Sequence, residues 1–327
     1  MIDLLSLLSE TNAYKTIKGD KDSQRLSHAY LVLTPDGEML TEYLKIFAKL
    51  LVCENGSPCM KCRACKMIDA NAFADVLFYP SQGDSVVVED INSLISESYV
   101  KALESDKKVF VISHAETMNL PSQNKLLKTL EEPPKNVHII IGATSEFPLL
   151  ATVKSRVKKL EIPPFTADKL YKALDSECAD KENLKNAIAC GDGTVGKALS
   201  LYGDDGLKNA VDLAVDTLTN MNSSSQVFDY SNKIANNSID LGEFFSVLEL
   251  MLRDMLVISQ GQNELAVNEK AQFIMNNSKN FSVGSILNAL EKITEAQERK
   301  KFNANPTMLI EWLLFQILEG KYKWQKL

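Results

Sequence analysis

Four short apolar runs in the first half of the chain constrain its fold more than any other feature. They are AYLVL at 29–33, VLFY at 76–79, VFVI at 109–112 and VHIIIG at 137–142. Each has strand length and is rich in β-branched or aromatic residues. Segments of helical period separate them: TEYLKIFAKLL follows the first, EDINSLISESYVKAL precedes the third, and SQNKLLKTLEE lies between the third and fourth. Strands that read as unbroken apolar runs are buried on both faces, and their alternation with helices predicts a parallel sheet of βαβ units. Helices on both faces of the sheet are expected. The third helix begins at Pro121 or Ser122, lines one side with Leu126, Leu127 and Leu130, and stops at Pro133-Pro134.

After Phe165 the pattern becomes nearly all helical. DKLYKALDSECADKENLKNAIACGDGTVGKALSLY is interrupted by a glycine-rich turn at 191–196, which predicts a small bundle of about 40 residues. LGEFFSVLELMLRDMLVIS is apolar on more than one face, as befits a helix inside a bundle or an assembly. NPTMLIEWLLFQILEG predicts a further long helix, with Pro306 in its first turn and Gly320 at its end. The polar stretch NSSSQVF at 222–228 is expected to be a loop.

Length and composition set further limits. A chain of 327 residues, 45% apolar and 24% charged, has room for two or three domains. MIDLLSLLSETNAYK lacks a basic segment followed by an apolar one, and no stretch approaches the roughly 18 apolar residues of a membrane helix. A soluble cytoplasmic protein is expected, with no membrane partner. The net charge of −7 argues against a chain that grips nucleic acid alone, because phosphate binding relies on clustered Lys and Arg.

Four of the six cysteines fall in one run, CENGSPCMKCRAC. Cys53, Cys59, Cys62 and Cys65 have C-x5-C-x2-C-x2-C spacing, short enough for four thiolates to converge on one tetrahedral ion. Structural zinc is the natural candidate, and four protein ligands would leave it no open position for hydrolysis. An iron–sulfur cluster, a redox switch and free thiols remain as alternatives. Cys178 and Cys190 are expected to be buried thiols, and His28, His114 and His138 to be packing or surface residues.

The loop TPDGEMLT at 34–41 lies between the first strand and a helix, where a phosphate-binding loop would sit. The pattern GxxxxGK[ST] supplies glycines for close backbone approach and a lysine for charge. Laid over it, Thr34 and Met39 replace the glycines, Leu40 replaces the lysine, and only Thr41 matches. At the end of VFVI, where an ATPase carries an acidic pair, stand Ser113 and His114.

SHAYLVLTPDGEMLTEYLKIFAKLLVC, the cysteine run, NKLLKTLEEPP, HIIIGATSE and KSRVKKLEI occur in an order and spacing that resemble bacterial clamp-loader subunits of the AAA+ class. The resemblance is dense over 26–165 and continues through GDGTVGKALSL, LMLRD and FNANPTMLIEWLL. It implies three parts: an AAA+-like α/β domain at 1–164 with a zinc module at 53–65, a helical lid at 165–206, and an all-α collar at 207–327. It implies a non-motor subunit without ATP in cis, joined with gamma/tau motor subunits and a delta subunit in a hetero-pentamer. Sliding clamp and primer-template DNA would be met through the complex. It further implies that Ser155-Arg156 lies at the edge of a neighbour's nucleotide site, with Arg156 as an arginine finger in trans and Ser155 in support. Taken alone, KSRVKK is a basic, solvated turn. The place of a motor subunit's sensor arginine falls at about Gly196, beside Lys197. A degenerate ATPase and a zinc-containing single-stranded DNA-binding module are the competing readings.

Overall fold

The computed structural model describes residues 2–203, 205–236, 240–268, 270–278, 281–301 and 304–323. The chain divides into two compact units, Met1–Glu177 with Thr194–Gly196, and Cys178–Gly193 with Lys197–Leu327.

In the first unit, strands β1 (Ala29–Leu33), β2 (Val76–Tyr79), β3 (Lys108–Ile112), β4 (Val137–Ala143) and β5 (Lys158–Glu161) form an all-parallel sheet in the order β2-β3-β4-β1-β5. The four apolar runs become β1 to β4, which bears out the parallel α/β reading. The chain crosses from β1 past β4 and β3 to β2, and from β4 past β1 to β5, so β1 lies inside the sheet beside the central β4 and the loop after it opens at the carboxyl edge of the sheet. Alternate residues feed two cores. Ala29, Leu31, Phe110, Ile112, Ile139 and Ile141 pack with Ile91, Leu94, Leu126 and Leu130 from the Val88–Ser98 and Leu120–Glu131 helices. Tyr30, Val32, Val109, Val111 and Ile140 are equally buried on the opposite face. The Leu40–Val52 helix is buried from Tyr43 to Val52.

β5 is absent from the apolar pattern because three of its four residues are exposed and polar. Of Lys158–Glu161, only Leu160 is buried, and register with β1 (Tyr30 opposite Lys158, Val32 opposite Leu160) places it. The third helix also starts earlier than its prolines imply. It begins at Leu120, because the Asn119 side chain accepts from the Ser122 backbone N–H at 2.9 Å, and Pro121 falls in the first turn. Pro133-Pro134 follows its end as expected.

The second unit is all helix among its described residues. Leu241–Ser259 runs through its core, burying Phe244, Phe245, Leu248, Met251 and Met255, as its apolar faces predict. Around it lie Lys181–Cys190, Asp205–Asn220, Lys270–Asn277, Val283–Lys301 and Pro306–Lys323. Two sequence expectations are corrected here. Residues 224–228 are helical and not loop: the Gln226 side chain accepts from the Asn222 and Ser223 N–H groups at 2.9 and 3.0 Å, and Val227 is buried, so Ser224–Asn236 begins inside the polar stretch. Gly320 does not end its helix, which continues to Lys323. A Cβ there would stand 3.1 Å from the Asn288 side-chain nitrogen, so the glycine serves close packing against Val283–Lys301. Lys321 is buried and donates to the Leu218 and Met221 carbonyls at 3.0 and 3.1 Å, capping the end of Asp205–Asn220; burial pushes its pKa down to about 8. Among the described residues no helix is long and apolar enough to cross a membrane.

Candidate functional site

The cysteine run forms at the end of the Leu40–Val52 helix. Cys53 is its C-cap, with its N–H donating to the Lys49 carbonyl. The chain then turns through Gly56 and re-enters helix at Arg63–Asp69, where Cys62 is the N-cap. Two backbone N–H groups point at sulfur: Cys62 N to Cys59 Sγ at 3.3 Å and Cys65 N to Cys62 Sγ at 3.4 Å. All four Sγ atoms lie within 4.8 Å of one another, with Cys53–Cys62 at 3.9 Å and Cys59–Cys65 at 4.0 Å. A tetrahedron with about 2.3 Å metal–sulfur bonds has edges of about 3.8 Å, so the donor set fits a closed four-thiolate metal site. The five-residue first spacing is therefore no obstacle to convergence. The N–H groups of Lys61 and Cys62 hold the Cys59 thiol down to about 5, whereas burial pushes Cys65 up to about 12. Lys21 braces the module, donating to the carbonyls of Leu50, Cys53 and Gly56 at 2.7, 3.3 and 3.3 Å. Cys178 and Cys190 are buried elsewhere, as expected.

The loop 34–41 is closed by its own aspartate. Asp36 is 4% exposed, and Oδ2 accepts from the Tyr43 hydroxyl at 2.7 Å, the Val195 N–H at 2.8 Å and the Gly196 N–H at 3.2 Å. Oδ1 accepts from the Met39 N–H at 3.3 Å. N–H groups at the start of a helix favour an anion, and here they point at an internal carboxylate. The Tyr43 hydroxyl is held above its ordinary pKa by burial and by the Asp36 charge. Gly196 is required by this contact. A Cβ there would lie 2.5 Å from Glu38 Cβ and 2.7 Å from Asp36 Oδ1, so no larger residue fits while Asp36 holds its place. Beyond β3, the Ser113 hydroxyl donates to the Tyr79 carbonyl at 3.1 Å, and His114 adopts the left-handed conformation at φ 53°.

Ser155 and Arg156 lie between the short Ala151–Lys154 helix and β5, at the sheet edge. The Ser155 hydroxyl donates to the Thr152 carbonyl at 3.1 Å. Arg156 Nη1 donates to the same carbonyl at 2.8 Å and to Ser155 Oγ at 3.3 Å, while Nη2 pairs with Glu131 Oε1 at 2.6 Å. A third of the Arg156 side chain is exposed. Neighbouring cations are also paired: Lys158 with Asp20 at 2.6 Å, and Lys159 with Glu146 and Glu161 at 3.0 Å each.

Residues 9–166 match the family model described as DNA polymerase III, delta subunit. Over 321 residues the chain is 26% identical to DNA polymerase III subunit delta' of Bacillus subtilis, spanning 94% of this chain and 95% of that one. It is 25% identical over 312 residues to the tau subunit of the same organism, spanning 94% of this chain and 48% of tau. Along nearly its whole length the chain is similar to DNA polymerase III subunits. A gamma subunit-related protein of Thermotoga maritima overlays with a TM-score of 0.44 at 15% identity, covering 95% of this chain and 100% of that one, too distant to argue from.

In this chain the four predicted cysteines converge, and Ser155 and Arg156 touch each other. Two residues escaped sequence reasoning. Glu131 was in view within NKLLKTLEEPP, but nothing in a linear motif pairs it with an arginine 25 positions on. Asp36 sits in an ordinary Pro-Asp-Gly turn, and its partners lie 159 and 160 residues away.

Proposed function

We propose that this subunit takes the delta' place in a DNA polymerase III clamp loader, as a stator that hydrolyses no ATP itself and lends Arg156 to a neighbouring motor subunit. The observation that carries this reading is the pairing of a phosphate-type loop filled by Asp36 with an arginine presented at the sheet edge. A guanidinium supplied in trans offsets charge developing on the transferred phosphoryl group and is worth about 10³ to 10⁵ in rate. Ser155 supports Arg156 by accepting from Nη1. The nearly end-to-end match to a delta' subunit, against half of tau, favours this place over a motor's.

The rest of the proposal follows the same relatives. The chain is read as an α/β domain at 1–164, a lid at 165–206 and a collar at 207–327, with Zn²⁺ as a structural ion on Cys53, Cys59, Cys62 and Cys65. Its partners are the gamma/tau motors and the delta subunit in a cytoplasmic hetero-pentamer, and it meets the sliding clamp and primed DNA through that assembly.

The test is ATP turnover by the reconstituted loader with clamp and primed DNA, comparing the natural chain with Arg156→Ala. Size-exclusion chromatography checks assembly. Turnover is expected to fall steeply while the complex stays intact. Unchanged turnover would leave the chain a scaffold and remove Arg156 from the mechanism.

A further inference from the structure

Glu131 is the last residue of the Leu120–Glu131 helix, where the carbonyl end of the helix dipole disfavours an anion. Its carboxylate adds nothing to the helix there, and its ion-pair partner is Arg156. Of the five guanidinium donors, Nη1 is committed to Thr152 and Ser155 within its own turn, and Glu131 covers the Nη2 edge. An arginine already paired with a carboxylate presents little net charge to a second anion. It reaches a phosphoryl oxygen with its Nη2 edge only after the carboxylate lets go.

We propose that Glu131 is a cis-acting brake on Arg156: it parks the guanidinium when the neighbouring nucleotide site does not demand it, and the neighbour's nucleotide phosphate displaces it. This rests on Arg156 acting in trans. The geometry fits an exchangeable clamp. The Glu131 side chain is 49% exposed, and the pair is made at the Nη2 edge, 2.6 Å from Oε1. Half-exposed ion pairs of this kind are weak, within reach of a competing phosphate. Thr152 and Ser155 keep Nη1 oriented after release, so the arginine exchanges one anion for another without a search through its rotamers.

The experiment measures ATP turnover by the reconstituted loader at sub-saturating ATP, without clamp or DNA, with the chain as natural, Glu131→Gln, Arg156→Ala and the double variant. Glu131→Gln is expected to raise turnover about 2- to 5-fold, the equivalent of about 0.4 to 1 kcal/mol. It is expected to change nothing when Arg156 is already alanine. Glu131→Ala serves as a second release variant, and thermal melting with size-exclusion chromatography confirms that each variant folds and assembles. A defective Arg156→Ala beside an unchanged or slower Glu131→Gln would overturn the brake while leaving the trans arginine standing. So would a rise that persists in the double variant. An Arg156→Ala loader that turns over normally, with clamp and DNA as well as without, would overturn the trans arginine and the brake together.

Discussion

Asp36 shows how one side chain can settle what a loop does. Its carboxylate accepts hydrogen bonds from four donors, three of them backbone N–H groups, in a place with almost no solvent. Charge-assisted bonds of this kind contribute about 1.5 to 3 kcal/mol each, and removing an acceptor strands buried donors. Asparagine keeps one oxygen but turns its NH₂ group toward buried donors on the other side, the Met39 N–H if it replaces Oδ1 or the Val195 N–H and Tyr43 hydroxyl if it replaces Oδ2. Asp36→Asn is therefore expected to lower unfolding stability by about 3 kcal/mol in urea titrations. A loss below about 0.5 kcal/mol would show that the carboxylate is not holding this loop. Sequence reasoning reached half of this arrangement. That 34–41 lacks the phosphate-binding glycines and lysine is legible position by position, whereas the anion that fills the space is not, because its partners are set by the tertiary fold.

At the scale of elements, legibility followed burial. β1, β3 and β4 are buried almost throughout, and the edge strand β2 keeps two of its four residues buried and the other two partly so; all four announced themselves as apolar runs, whereas β5 has one buried residue and could be placed only by its pairing with β1. The helix at Ser224–Asn236 hid behind serines that read as a loop, although a Gln226 side chain turned back on Asn222 and Ser223 is what starts it. The cysteine module was legible for the opposite reason, since short spacings leave a 13-residue chain few ways to arrange four thiols. Its sulfurs stand at the edge lengths of a thiolate tetrahedron, so metal analysis of the purified chain is expected to return about one zinc per chain. Removing the metal leaves four thiols of unequal acidity, crowded within 4.8 Å, with the Lys21 brace and two N–H contacts to sulfur to hold them. Chelation, or Cys59→Ser, should lower the melting temperature and speed proteolysis between 53 and 69. Bound iron with visible absorption would replace zinc by a cluster, and a metal-free chain of undiminished stability would count against any structural ion.

Charge belongs to the whole molecule. The chain carries 36 Lys and Arg against 43 Asp and Glu, so its average field repels a nucleic-acid backbone. A local patch could override the average, and the densest basic run, KSRVKK at 154–159, is the natural place to look for one. Three of its four cations, however, are answered at home by carboxylates, Arg156 by Glu131, Lys158 by Asp20, and Lys159 by Glu146 and Glu161, while Lys154 donates to the Glu146 carbonyl. Paired cations displace few counterions from a duplex, and counterion release supplies most of non-specific affinity, which for ordinary DNA-binding proteins gives Kd values of about 10⁻⁴ to 10⁻⁶ M. The isolated chain is accordingly expected to leave the fluorescence anisotropy of labelled primed DNA flat up to about 10 µM at about 0.1 M salt. Binding that weakens steeply with salt would restore the competing picture of a zinc-containing DNA-binding module. A flat titration leaves any contact with DNA to the assembly, and it leaves the basic run to the trans role proposed for Arg156, which would begin with release from Glu131.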